Sequence, residues 1–133
     1  MKTISTYIPR DKSDLKRVEE LSKIGYPFYK PILGDLFRWI QDINWPVAQK
    51  IVSLLIAAGD DVIPHVKTIL NSNDAIWKYW TLTYIVSKMP PQIIKMIKKD
   101  LERIVNNPSD SEILEEVNMA ATNLLRKIRE TSD

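Results

Sequence analysis

Four sets of side chains have types and spacings that suggest chemistry. The first is Gln41-Asp42-Ile43-Asn44-Trp45, together with Asp74-Ala75-Ile76-Trp77-Lys78 thirty residues on. Indole rings give a binding surface rigid apolar area, and neighbouring amides and carboxylates can bond a partner's backbone. Gln41, Asp42, Asn44, Trp45, Asp74, Trp77 and Lys78 are therefore the candidate partner-binding residues. The same pattern has a structural reading, in which Asn44 and Asp74 cap helices and the rings are core. The second set is His65 with Asp60 and Asp61, near enough in sequence for an acid–base pair, although a lone His also reads as a half-buried helix residue. The third is the carboxylate pair Asp42 and Asp74, the residue type of glycoside chemistry. Capping would commit their oxygens to backbone N–H groups. The fourth is Lys95, Lys98, Lys99 and Arg103, which could meet phosphates, but Asp100 and Glu102 interleave and make the run a solvated face.

Composition removes other chemistries. The 133 residues contain no Cys and one His, which leaves no disulfide, thiolate metal site or cysteine nucleophile, and no His cluster within one chain. Gly25, Gly34 and Gly59 lie too far apart for a phosphate-cradling loop. No catalytic residue, cofactor or metal site is expected. Lys and Arg total 19 against 17 Asp and Glu, a formal charge of +2. Residues 1–30 carry a net +3, residues 31–90 are balanced, and residues 91–133 carry −1. None of these blocks is the dense basic patch of a nucleic-acid or membrane-surface binder. The opening MKTISTYIPR lacks an apolar core, and the longest apolar run, near Ile51–Ala58, is far short of the ~20 residues of a membrane span. A cytoplasmic protein with no membrane partner is expected.

The elements that must position these residues are helical. Apolar residues recur at helical spacing from about residue 13 to residue 130, and no stretch alternates with period two. A first helix follows Asp11 or Ser13 and ends at Gly25. The second runs from Pro31 to Gln41. The third, Trp45 to Ala58, starts at the cap Asn44 and is apolar almost all round. A fourth runs from Asp60 or Asp61 to Leu70, and a fifth, capped by Asn73 or Asp74, from Ala75 to Lys88. The sixth spans Gln92 to Val105. The last starts at the capping-box pair Ser109 and Glu112, and one stripe through Ile113, Leu114, Val117, Ala120, Ala121, Leu124, Leu125 and Ile128 predicts a single helix.

A shift of 30 residues superposes Leu33 on Ile63, Leu36 on Val66, Ile40 on Leu70, Asn44 on Asp74 and Val47 on Trp77. Each unit is a helix, a capped polar turn and a more apolar helix. Such pairs bury their faces by stacking. The expected fold is all-α, with about seven helices in one domain over residues 1–133. These form a HEAT-like α-α superhelix, a short α-solenoid of three helix pairs plus an N-terminal helix; an irregular bundle is the alternative.

The run Ile63-Pro64-His65-Val66 through Asp74 and Trp77 resembles HEAT-type repeats. More closely, Tyr7-Ile8-Pro9-Arg10-Asp11-Lys12, the segment from Trp39 to Ala48, Asp74–Trp80, and Asn107-Pro108 with Glu112, Glu115 and Glu116 resemble a small bacterial family of HEAT-like domains of unknown function. That resemblance implies a fold and no activity. The expected function is a non-enzymatic protein–protein interaction module, in concrete form an immunity-type inhibitor of a bacterial toxin. The alternatives are a HEAT-like nucleic-acid binder, disfavoured by the sparse basic charge, and a small-molecule site walled by Trp39, Trp45, Trp77 and Trp80. The partner's identity and the oligomeric state are open.

Overall fold

The apolar stripes become helices, several of them shorter and more segmented than their periodicity suggests. A computed structural model describes residues 3–130, and no strand occurs among them. A 3₁₀ turn, Ile4–Tyr7, precedes α1 (Leu15–Ile24), and a second, Lys30–Ile32, leads into α2 (Leu33–Arg38). Next come α3 (Pro46–Ala57), a 3₁₀ turn Gly59–Val62 and α4 (Ile63–Leu70). Helix α5 (Ala75–Trp80) widens into a π-helical stretch, Thr81–Ile85, and tightens again at Val86–Lys88. Helix α6 (Pro91–Ile94) passes through a 3₁₀ turn to α7 (Lys98–Asn106), followed by α8 (Asp110–Leu114) and α9 (Val117–Glu130).

The chain divides into two compact units, Met1–His65 and Val66–Asp133. In the first, α3 packs on α1 and α2. Its Val47, Ala48, Ile51 and Leu55 are completely buried, as its all-round apolarity requires. The buried Tyr29 hydroxyl donates to the Leu54 carbonyl at 2.7 Å. Val47 N–H, in the first turn of α3 and lacking an intrahelical acceptor, donates to the Lys12 carbonyl. Gly25 and Gly59 have φ of +86° and +61°, conformations that cost a residue with a Cβ. In the second unit α9 is the hub, packing on α5, α6, α7 and α8. The Lys127 ammonium donates to the Ser87 and Met89 carbonyls at the end of the helical run 75–88.

The helix starts separate the expected caps. Asp74 Oδ1 accepts the Trp77 N–H at 3.0 Å, and Ser109 and Glu112 form the reciprocal capping box. Asn44 does not cap α3. Trp45 takes the N-cap position without a side-chain bond, and Pro46 fills the first helical position. At α1 the boundary is Asp14 rather than Asp11 or Ser13. Its carboxylate accepts the Arg10 N–H at 3.0 Å and pairs with Arg17 at 3.0 Å.

The last expected helix is two. The chain turns at Glu115 and Glu116, where Glu116 takes the left-handed φ of 61°, and α9 starts afresh at Val117. Of its stripe, Val117, Ala121, Leu124 and Ile128 are buried, and Ala120 and Leu125, at the stripe's edge, are half-buried. Ile113 and Leu114, in phase with that stripe in the sequence, are rotated out of it and stand 52% and 78% exposed. Neither Gly nor Pro marks this turn, so periodicity alone runs straight through it.

These caps differ in a measurable way. Asp74→Ala should lower unfolding free energy by about 1 kcal/mol, and Asn44→Ala by well under about half of that. Urea titrations of the two variants check this, and equal losses would contradict the assignment of the caps.

Candidate functional site

In the first unit the turn between α2 and α3 is pinned from below by the buried Ile40 and Ile43. Asp42 Oδ1 accepts the Asn44 N–H at 2.9 Å, and the Asp42 carbonyl accepts the Trp45 N–H at 3.1 Å. This closed turn turns Gln41 and Asn44 to solvent and leaves Trp39, Asp42 and Trp45 half-buried. The two indoles meet edge to face, with centroids 5.7 Å apart and planes at 66°. They line an open cleft of about 330 Å³ with Ile8, Asp35, Arg38 and Gln41. Of the expected residues, Gln41 and Trp45 therefore share one recess. Ile8, Asp35 and Arg38 were not singled out by the sequence, although Asp35 and Arg38 lie off the apolar stripe of α2, beside Trp39.

Asp74, Trp77 and Lys78 belong to the second unit. Asp74 is exposed and Trp77 half-buried. Lys78, expected at a binding surface, is instead withdrawn from it: its side chain is 6% exposed, and its ammonium lies 3.0 Å from Glu112 Oε2. The cleft takes Trp39 and Trp45, whereas Trp80 packs edge to face on Tyr79 and Tyr84.

Glu112 is the centre of the second unit's polar structure. Its side chain has no solvent exposure, and Arg103 grips it with both guanidinium ends, at 2.6 Å to Oε1 and 2.7 Å to Oε2. The Ser109 N–H donates to Oε1 at 2.8 Å. Burial alone would raise this carboxyl. The Arg103 fork, the Ser109 N–H and the Lys78 ammonium outweigh it and hold the carboxyl down at about 2. A polar hollow of about 630 Å³ opens beside the group, with Asn71, Asn73 and Asn107 in its wall. Arg103 faces it with its fork already committed, so the hollow offers no open cation. The same commitment withdraws Arg103 from the basic run, leaving Lys95, Lys98 and Lys99 exposed.

The remaining chemical candidates are engaged elsewhere. Asp61 accepts a short hydrogen bond from the Tyr26 hydroxyl and lies 3.7 Å from Lys30. The Tyr26 hydroxyl is pushed up to about 12, first by desolvation and then by this carboxylate. The His65 ring stacks on Phe37 with centroids 5.9 Å apart. Asp42 and Asp74 each hold a backbone N–H through Oδ1. Among the described residues, no helix is long and apolar enough to cross a membrane.

A family model described as a domain of unknown function (DUF5071) matches residues 7–125 of the chain. No curated protein sequence matches it.

The Glu112 group has a defined pH signature. Its carboxyl titrates lower in the folded chain than in the unfolded one, so its contribution is complete above the unfolded value, about 4.3, and is lost as pH falls toward 2. Glu112→Ala strands the buried Lys78 ammonium, while the partly exposed Arg103 can turn to water, and should cost about 3 kcal/mol. Glu112→Gln should remove much of the loss of stability between pH 5 and 2. Denaturant titrations across that window test both; an unchanged acid limb in the Gln variant would contradict the assignment.

Proposed function

The chain belongs to the DUF5071 family, and on that premise we propose that it is a protein-binding module without catalytic activity. The observation that carries this reading is the Trp39–Trp45 cleft. Two half-buried indoles held edge to face on a hydrogen-bonded turn, with Gln41 and Arg38 at the rim, have the composition of an interface anchor. The rings already pack on each other, so less side-chain freedom is lost when a partner covers them. The engagement of Asp42, Asp61 and Asp74 in hydrogen bonds supports a role in binding over one in acid–base chemistry.

The 30-residue recurrence of a helix, a polar turn and a more apolar helix supports arrangement of the chain as a HEAT-like superhelix. In this proposal the concrete function is that of a cytoplasmic bacterial immunity protein, which blocks a toxin by occupying its surface. The cleft volume of about 330 Å³ also falls at the small end of the range for small-molecule sites, ~300–1,000 Å³, which favours a small ligand as the second reading.

Affinity capture with the intact chain, beside Trp39→Ala and Trp45→Ala, tests the proposal. A stoichiometric protein partner should bind the wild type and weaken by about 30-fold or more with Trp45→Ala, the loss expected of an anchor residue. Circular dichroism should show both variants folded. Undiminished capture by both folded variants would refute the cleft as the docking site.

A further inference from the structure

We infer that the corner between α8 and α9 is a second docking surface, fitted to a cationic amphipathic segment of a partner protein. It is built entirely from residues of the second unit and stands independently of the Trp39–Trp45 cleft.

The apolar part comes first. Ile113, Leu114 and Met119 are 52%, 78% and 58% exposed. Single exposed aliphatics are ordinary on a protein surface, but here three large ones fall within seven positions. The sequence holds a simpler alternative. A straight helix through residues 113–128 would carry Ile113 and Leu114 on the buried stripe with Val117 and Leu124. The fold instead breaks at Glu115 and Glu116, places Glu116 at a left-handed φ of 61°, and turns both aliphatics to water. A residue with a Cβ occupies that conformation at a cost, and exposed Leu gains nothing from solvent. Both unfavourable terms are offset if a partner covers the corner.

The charge decides what that partner is. Asp110, Glu115 and Glu116 surround the aliphatics in sequence, and no Lys or Arg stands between Arg103 and Arg126. Arg103 is held by Glu112. Arg126 lies nine residues past Val117, roughly 14 Å along α9, beyond the ~8–10 Å over which exposed charges interact at physiological salt. Lys78 and Arg103 exceed the Glu112 they hold by one charge, so with Asp110, Glu115 and Glu116 the corner keeps a net charge of −2 and is an apolar knob on an acidic surface. It repels nucleic acid, anionic lipid and a second copy of itself, and it complements a segment that presents Leu-like side chains beside Lys or Arg.

The probe is a synthetic amphipathic helix with Leu on one face and Lys on the other, compared with a scrambled peptide of identical composition. Titration into ¹⁵N-labelled protein should shift the amides of residues 110–119. Binding should weaken about tenfold for Leu114→Ser and for Glu115→Gln/Glu116→Asn, weaken with added salt, and be about tenfold poorer for the scrambled peptide. All these substitutions are at the surface, and Asn tolerates the left-handed position, so the variants should fold. Trp45→Ala should bind the peptide like wild type, which separates this surface from the cleft. Equal affinity for intact and scrambled peptides, or shifts confined to residues outside 110–119, would overturn the inference.

Discussion

A carboxylate cut off from water survives as an anion only if other groups replace the water, and the second unit is arranged around that requirement. Glu112 receives the replacement from three directions. Lys78 comes from α5, Arg103 from α7, and the Ser109 N–H from the start of its own helix. The buried Lys78 ammonium alone would be as costly as the anion, so neither Lys78 nor Glu112 is tolerable in place without the other. Ser109 receives the Glu112 N–H in return, which makes the start of α8 part of the same group. Three helices are thereby held at one point by a group whose geometry admits little variation. The fork of Arg103, with both contacts below 3 Å, fixes direction as well as distance.

That anchoring determines what happens downstream. With α8 held at its first turn, and α9 by its buried stripe against α5, α6 and α7, the chain turns in the link between them. It does so at Glu115 and Glu116, and exposure of Ile113 and Leu114 follows. The first unit solves a similar problem without a buried ion pair at the turn. Its turn between α2 and α3 is seated by Ile40 and Ile43 and closed by Asp42, leaving the indoles at the rim. A buried ion group and a buried aliphatic pair thus each hold a connection that presents apolar side chains to solvent.

How far this was legible in the sequence depends on the range of the interaction. Local patterns read well. The stripe of α9, the apolar α3, the stop at Gly25, the cap Asp74 and the Ser109–Glu112 box are all contained within a few residues, and the structure has each. Asn44 failed as a cap because Pro46 already starts α3 and Asp42 closes the turn, two short-range signals that pointed to the same place. Lys78 failed as a surface residue because its position is set by Glu112, 34 residues away, and no spacing rule links them. Periodicity missed the corner at Glu116 because no Gly or Pro marks it and the stripe continues in phase through it. For the candidate site, Trp45 and Gln41 were legible as an aromatic–amide pair. Ile8, Asp35 and Arg38 join them only through the fold.

Glu112 is a buried, charged hub that holds the start of α8 beside the α8–α9 corner. A direct measurement is carboxyl ¹³C NMR of Glu112 through acid titration, with the amides of residues 107–119 followed in the same samples. The account predicts an inflection at about 2, well below that of an ordinary Glu, with the corner amides moving at the same pH. An inflection near 4.3, the value of a free Glu side chain, with the corner amides unmoved would show that Glu112 holds nothing in place and would contradict it.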